Sequence, residues 1–127
     1  MTQNKPTAAQ LIGAVKAFLE HEIKPELRGH KAFNLMVALK SLDIVQRELE
    51  LGPAFAAAER GRLVAILGHD GSLADLNAEF ARRLRDRELR IDDPGVAEHL
   101  RATTLEKLAI DQPQYSGYAQ ALARDTQ

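Results

Sequence analysis

Residues 33–52 read FNLMVALKSLDIVQRELELG, and this stretch decides the fold. Two apolar stripes run along it at helical spacing. The first stripe comprises Leu35, Leu39, Leu42, Val45 and Leu49. The second comprises Phe33, Val37, Ile44 and Leu51. A helix that is apolar on two adjoining faces is contacted from more than one side. We therefore predict a central helix from about Gly29 to Leu51, which Gly52 ends.

Helix-start signals lie on both sides of this central helix. Thr7 and Gln10 have the spacing of a capping box before a first helix, which Pro25 should end or kink. The remaining predicted helices begin at Pro53, at Ser72 and at Asp93-Pro94. Residues 114–127 form either a tail or a short sixth helix. The fold class is therefore all-α, a compact bundle of about five helices whose sequence neighbours run antiparallel.

Composition supports this helical interpretation and a single domain over residues 1–127, with residues 1–6 as a flexible N-terminus. Ala, Glu, Lys, Leu and Arg account for 65 of the 127 residues, which is a helical composition. The net charge is −1, so no strongly charged partner is implied. There is no cysteine, which excludes disulfides, zinc–thiolate sites and a cysteine nucleophile.

The N-terminus lacks the apolar core of a signal peptide, and the longest apolar runs are far shorter than a membrane span. A cytoplasmic protein is therefore expected. The local signatures of helix-borne metal sites, phosphate-binding loops and serine nucleophiles are absent from the sequence. We expect a protein that is not an enzyme and that uses no metal and no cofactor.

The densest charge cluster is arginine-rich. Arg82, Arg83 and Arg85 are candidates for an anion or ligand patch, which a nucleic acid could also use. The alternative is a solvated helix face with intrahelical ion pairs, such as Glu79 with Arg83. The arginines fan around the helix and the chain has few aromatic residues, so nucleic acid is the less favoured partner.

A second candidate site lies on the central helix. His30, Asn34 and Ser41 flank its apolar faces and are candidates for a small polar pocket, although such residues are more often hydrogen-bonded at a core boundary. His69-Asp70 lies between two glycines and is interpreted as turn chemistry. Surplus apolar helix surface favours a homodimer.

Four sequence blocks together resemble a family of short bacterial proteins that is classed as a domain of unknown function. The blocks are Pro6–Leu11, Ile44–Pro53, Ile91–Pro94 and His99–Pro113. The central helix of that family reads Phe-His-x-Arg-Val-Ala-x-Asn. This chain has Asn34, Met36 and Lys40 in place of the polar residues, so the resemblance favours a structural or partner-binding role.

The resemblance also implies a genetic setting, because members are often encoded beside acyl-CoA dehydrogenases and beside kinases similar to aminoglycoside phosphotransferases. The favoured hypothesis is therefore a non-enzymatic helical accessory protein that binds one of these neighbours. The first alternative is a module that binds a small ligand or an acyl-CoA, and the second is a nucleic-acid-binding protein.

Overall fold

The computed structural model describes residues 5–125, and every regular element within that range is helical. The α-helices are α1 (Ala8–Phe18), α2 (Gly29–Leu67), α3 (Leu73–Arg85), α4 (Val96–Asp111) and α5 (Ser116–Asp125). A π-helical turn (Leu19–Ile23) and a 3-10 turn (Lys24–Glu26) join α1 to α2. The all-α prediction is confirmed. No helix in residues 5–125 has an apolar stretch long enough to cross a membrane.

The first helix begins where its sequence predicts. The Thr7 side chain accepts a hydrogen bond from the Gln10 amide at 3.1 Å, and the Thr7 amide donates to Gln10 Oε1 at 2.8 Å. This reciprocal pair is a capping box, which satisfies two amides that have no intrahelical partner. Pro25 lies in the 3-10 turn, so the α-helical geometry has ended before it.

The predicted break between the second and third helices is wrong. The helix α2 runs without interruption through Gly52 and carries Pro53 inside it. Proline has no amide hydrogen, so the carbonyl of Leu49 loses its usual helical partner there. The torsion angles of the chain nevertheless stay helical, because proline's fixed φ is itself compatible with a helix.

The predicted start of the helix at Asp93-Pro94 is also wrong, by two residues. Gly95 is the N-cap of α4 and has φ +83°, a left-handed conformation that cannot belong to a right-handed helix. The Asp93 carboxylate instead accepts from the Arg90 amide at 2.8 Å, within the turn that precedes α4. The helix therefore begins at Val96.

The described chain divides into two compact units, one ending at Gly52 and the other beginning at Pro53. The first unit is a helical hairpin of α1 and the first part of α2. Gln46 accepts from Lys16 Nζ at 2.8 Å and donates to the Ala9 carbonyl at 3.2 Å, while Lys16 also pairs with Asp43. These contacts set the two helices antiparallel. Leu39 is the only buried residue in the described part of this unit.

The second unit has a hydrophobic core. Its buried residues are Leu63, Leu67, Leu76, Phe80 and Val96, which come from α2, α3 and α4. Residues 114–127, for which the sequence predicts a tail or a short sixth helix, contain the helix Ser116–Asp125, and residues 126–127 lie outside the described range. Of the predicted flexible segment 1–6, residues 1–4 also lie outside that range.

Candidate functional site

A buried polar cluster lies beside the core of the second unit. Its centre is His99 on α4, whose residue surface is 2% exposed. The His99 ring meets the Phe80 ring edge to face, with ring centroids 5.0 Å apart. On α2, Arg62 donates from Nε to His99 Nδ1 at 3.0 Å. Buried polar groups of this kind persist where their hydrogen-bonding capacity is satisfied.

The same arginine holds two more side chains of α4. Its guanidinium donates to both carboxylate oxygens of Glu106, at 3.1 and 2.8 Å, in the two-pronged geometry that suits arginine. It also donates to the Thr103 hydroxyl oxygen at 3.3 Å. His99, Thr103 and Glu106 follow the i, i+4, i+7 spacing, so one face of α4 presents all three to Arg62.

The hydrogen bond from Arg62 fixes the protonation state of His99. Burial lowers the pKa of the His99 imidazole, and the positive charge of Arg62 lowers it further. Because Nδ1 accepts from the guanidinium, the proton of the neutral ring resides on Nε2. Nε2 has no hydrogen-bond acceptor among the described residues. Little of Nε2 reaches solvent, because the whole residue is 2% exposed, but within residues 5–125 the only fully enclosed side-chain nitrogen or oxygen without a partner is Arg83 Nε.

The His99 ring lines a cleft of about 500 Å³ between α3 and α4. Apolar and polar side chains share its wall. They are Asn77, Phe80, Ala81, Leu84, Leu100, Thr103, Thr104 and Lys107, together with His99. A second cleft of about 400 Å³ also includes Arg62 and His99 and is bounded by Pro94, Gly95 and Glu98. The first cleft has the size and the mixed lining of a small-molecule site.

The polar groups of the larger cleft are mostly hydrogen-bond donors. The Thr103 oxygen accepts from Arg62, which leaves its hydroxyl hydrogen free to donate. Lys107 is an exposed cation on the same face of α4. Thr104 is already committed, because its hydroxyl donates to the Leu100 carbonyl at 2.9 Å. This arrangement suits the binding of an electron-rich group, and it contains no activated nucleophile.

The arginines predicted as an anion patch are mostly paired with carboxylates. Arg82 contacts Glu88 at 2.9 Å and Asp86 at 3.5 Å, and Arg83 contacts Glu79 at 2.6 Å. Arg85 is exposed on α3. The ion pair of Arg83 with Glu79 is the one that the sequence indicates, and the anion patch itself stays a prediction.

The residues predicted to form a polar pocket lie along one flank of α2. His30 and Asn34 are exposed, and the Ser41 hydroxyl donates to the Val37 carbonyl at 3.1 Å. The structure neither encloses them together nor adds a group from another helix, so the pocket stays a prediction.

The His69-Asp70 pair forms turn contacts, as the sequence indicates. The His69 ring contacts the Asp70 carbonyl at 3.0 Å and Glu79 at 2.7 Å, and these partners raise the pKa of His69 in that order. The Asp70 carboxylate accepts from the Gly71 amide at 2.7 Å and pairs with Arg60.

The His99 cluster was not predicted from the sequence. The helical spacing of Val96, Leu100, Thr104 and Leu108 predicts the buried face of α4. Val96 is buried as predicted, whereas Leu100 is 36% exposed and His99, which lies outside this stripe, is buried. The available signal was the polar series His99, Thr103 and Glu106 at the spacing of one helix face. Nothing local points to Arg62, which lies 44 residues before Glu106.

Within residues 5–125, no group of three or more His, Asp or Glu side chains could hold a metal ion. No curated protein matches the chain, and no solved structure matches it. The family described as a domain of unknown function, DUF6285, matches residues 25–115. Three of the four blocks on which the resemblance rests lie inside this range, and Pro6–Leu11 lies before it. The chain therefore belongs to the DUF6285 family, whose function is not known.

Proposed function

We propose that this chain is a non-enzymatic interaction protein that forms a homodimer through its N-terminal helical hairpin. One observation carries the proposal. Among the described residues, nine of the 13 exposed large hydrophobic side chains lie between Leu11 and Leu49, in the unit with one buried residue. A hairpin that buries so little of its apolar surface needs a partner to stabilise it.

Seven of these nine exposed residues form two separate surfaces. The hairpin face comprises Leu11 and Val15 of α1 with Val45 and Leu49 of α2. The outer stripe comprises Phe33, Val37 and Ile44, on the side of α2 that is turned away from α1. Helical spacing and the antiparallel pairing place the hairpin face on one side of the two helices, whereas Phe18 lies on the side of α1 turned away from the contacts of Lys16 with α2.

The shape of the hairpin face favours a second copy as its occupant. Two antiparallel helices with an apolar side are half of a four-helix bundle, and two copies related by a two-fold axis complete it. The hairpin face exposes four large apolar side chains, each about half exposed, and part-buried neighbours such as Ile12 and Leu42 widen it. A stable interface buries roughly 800 Å² per partner, so the dimer would also cover the polar rim of this face.

A matched pair of valines tests the homodimer. Val15 lies on the hairpin face and Val37 lies on the outer stripe, and each is 50% exposed. We expect Val15→Glu to be monomeric and Val37→Glu to remain dimeric in sedimentation equilibrium and in size-exclusion chromatography with light scattering. A monomeric wild-type chain, or a dimer that only Val37→Glu dissociates, contradicts the proposal.

The outer stripe is then the surface for a different protein. The family resemblance implies an acyl-CoA dehydrogenase or a kinase similar to aminoglycoside phosphotransferases as that partner. The test is co-purification with each neighbour produced from the same gene cluster. Phe33→Glu should lose the partner and keep the dimer. Retention of neither neighbour by the wild-type chain contradicts this part of the proposal and leaves the homodimer intact.

A further inference from the structure

We propose that the cleft between α3 and α4 binds a small carboxylate with an apolar tail. The cleft comprises the residues given above, with His99, Thr103 and Lys107 on one wall. Because all of them lie in the unit that begins at Pro53, this site is independent of the hairpin face.

The donor groups of the cleft define the head of the ligand. His99 lines the cleft, and its one N–H group is Nε2–H, because Arg62 occupies Nδ1. Thr103 presents its hydroxyl hydrogen, because Arg62 occupies its oxygen. Arg62 therefore converts two residues that could either donate or accept into two donors. A ligand that accepts two hydrogen bonds and carries negative charge complements them, and the ammonium group of Lys107 supplies the opposite charge.

The apolar wall defines the tail. Phe80, Leu84 and Leu100 line the same cleft as the donors, and Leu100 is 36% exposed although it is a large apolar residue. A short aliphatic chain or a single ring would cover these side chains. Burial of apolar surface would then supply most of the affinity, while the donors would set the orientation of the head group.

A competing cation site is ruled out by the charges of the cluster. The carboxylate of Glu106 is turned to Arg62 through both of its oxygens, and Glu59 accepts from the Asn77 amide at 3.1 Å. Each carboxylate near the cleft therefore has a partner in the protein. Lys107, His99 and Thr103 then supply donors for a ligand, beside the Asn77 side chain, which gives one amide hydrogen to Glu59.

The test uses the full chain with hexanoate as the probe, and 1-hexanol and hexylammonium as controls of equal tail length. Binding is followed by nitrogen–proton NMR of the histidine rings, in which the Nε2–H signal of His99 reports directly on the site. We expect saturable hexanoate binding with a Kd of about 1 mM or tighter and a downfield shift of that signal. Hexanol should bind about tenfold more weakly, because it cannot pair with Lys107 or accept two charge-assisted hydrogen bonds.

Four variants, one of them a control, test whether Lys107 and Thr103 bind the carboxylate head. Lys107→Met lies on an exposed rim, so the fold should survive, and we expect hexanoate affinity to fall by about three- to fivefold. Lys31→Met, at another exposed lysine that does not line the cleft, is its matched control and should bind as the wild type does. Thr103→Val should weaken binding, whereas Thr103→Ser, which keeps the hydroxyl, should restore it. Equal affinity for hexanol, no shift of the His99 signal, or equal losses in Lys107→Met and Lys31→Met would overturn the proposal.

Discussion

The prediction with the largest effect concerns Arg62, since one guanidinium satisfies three side chains of α4. In Arg62→Met, the unbranched apolar side chain keeps the packing of the arginine stem and removes four hydrogen bonds. The carboxylate of Glu106, whose side chain is 18% exposed, is then left without its cation, and His99 Nδ1 is left without its donor.

The magnitude follows from the burial of this ion pair. Removing one partner of a fully buried pair costs about 3–5 kcal/mol, because the other charge stays buried and unpaired. Here the two side chains are 24% and 18% exposed, so water partly solvates the carboxylate that remains. We therefore expect the free energy of unfolding to fall by about 2–3 kcal/mol. With a urea dependence of about 2 kcal/mol per molar, the unfolding midpoint should fall by about 1–1.5 M.

The assay is urea unfolding followed by far-ultraviolet circular dichroism, with three further variants. Arg60→Met is the matched control on the same helix, because its ion pair with Asp70 is exposed and should contribute at most about 1 kcal/mol. Glu106→Leu removes the partner charge alone, and the double variant Arg62→Met, Glu106→Leu removes both charges and should recover much of the loss. The role assigned to Arg62 is refuted if Arg62→Met costs no more than Arg60→Met, or if the double variant is as unstable as the sum of its two single changes.

Three other predictions concern titration, helix continuity and the core. Because the pKa of His99 is lowered in the folded state, the unfolded state takes up the proton first, and the melting temperature should fall as pH decreases below about 6.5. His69, whose pKa is raised, acts in the opposite sense, because its contribution to stability is lost as pH rises. The fall should therefore be measured in His69→Gln, which lacks that opposing contribution. Pro53→Ala supplies the missing amide for the Leu49 carbonyl and should raise the melting temperature through a gain of about 1–3 kcal/mol, whereas a lower melting temperature would contradict an unbroken α2. Leu76→Ala, at a residue that is 1% exposed, should cost about 2–5 kcal/mol in urea unfolding, and a smaller cost would contradict its place in the core.

Features set by near neighbours in the chain were predictable from the sequence. Thr7 with Gln10, and Ser72 with the Asp75 amide, cap helices as their spacing predicts. The predicted helix boundaries that are wrong lie where two local sequence signals compete. Pro53 follows Gly52, which favours a helix end, yet the helix continues through both residues. At Asp93-Pro94 the capping signal is present, but the positive φ of Gly95 delays the helix.

The candidate site was not predictable, for a physical reason. An apolar stripe marks a buried face because hydrophobic burial acts on each residue separately. A buried polar cluster is stable only when all of its members are hydrogen-bonded, so a single member in the sequence does not indicate the cluster. From the sequence alone His99 resembles a surface residue, because the partner of its Nδ1 atom, Arg62, lies on another helix. The α4 members of the cluster, His99, Thr103 and Glu106, recur in the sequence at regular spacing. Arg62 joins them only because α2 packs against α4.

The two units of the described chain differ in how many of their apolar residues they bury. This difference relates the stability of each unit to the function proposed for it. The unit that begins at Pro53 buries five apolar residues in one core, whereas the hairpin buries Leu39 alone. Stability at a given site rises with the number of buried apolar contacts there. Amide hydrogens around Leu39 should therefore exchange faster in dilute solution than those around Leu63. Protection of the hairpin that rises with protein concentration would show that association, and not its own core, orders it.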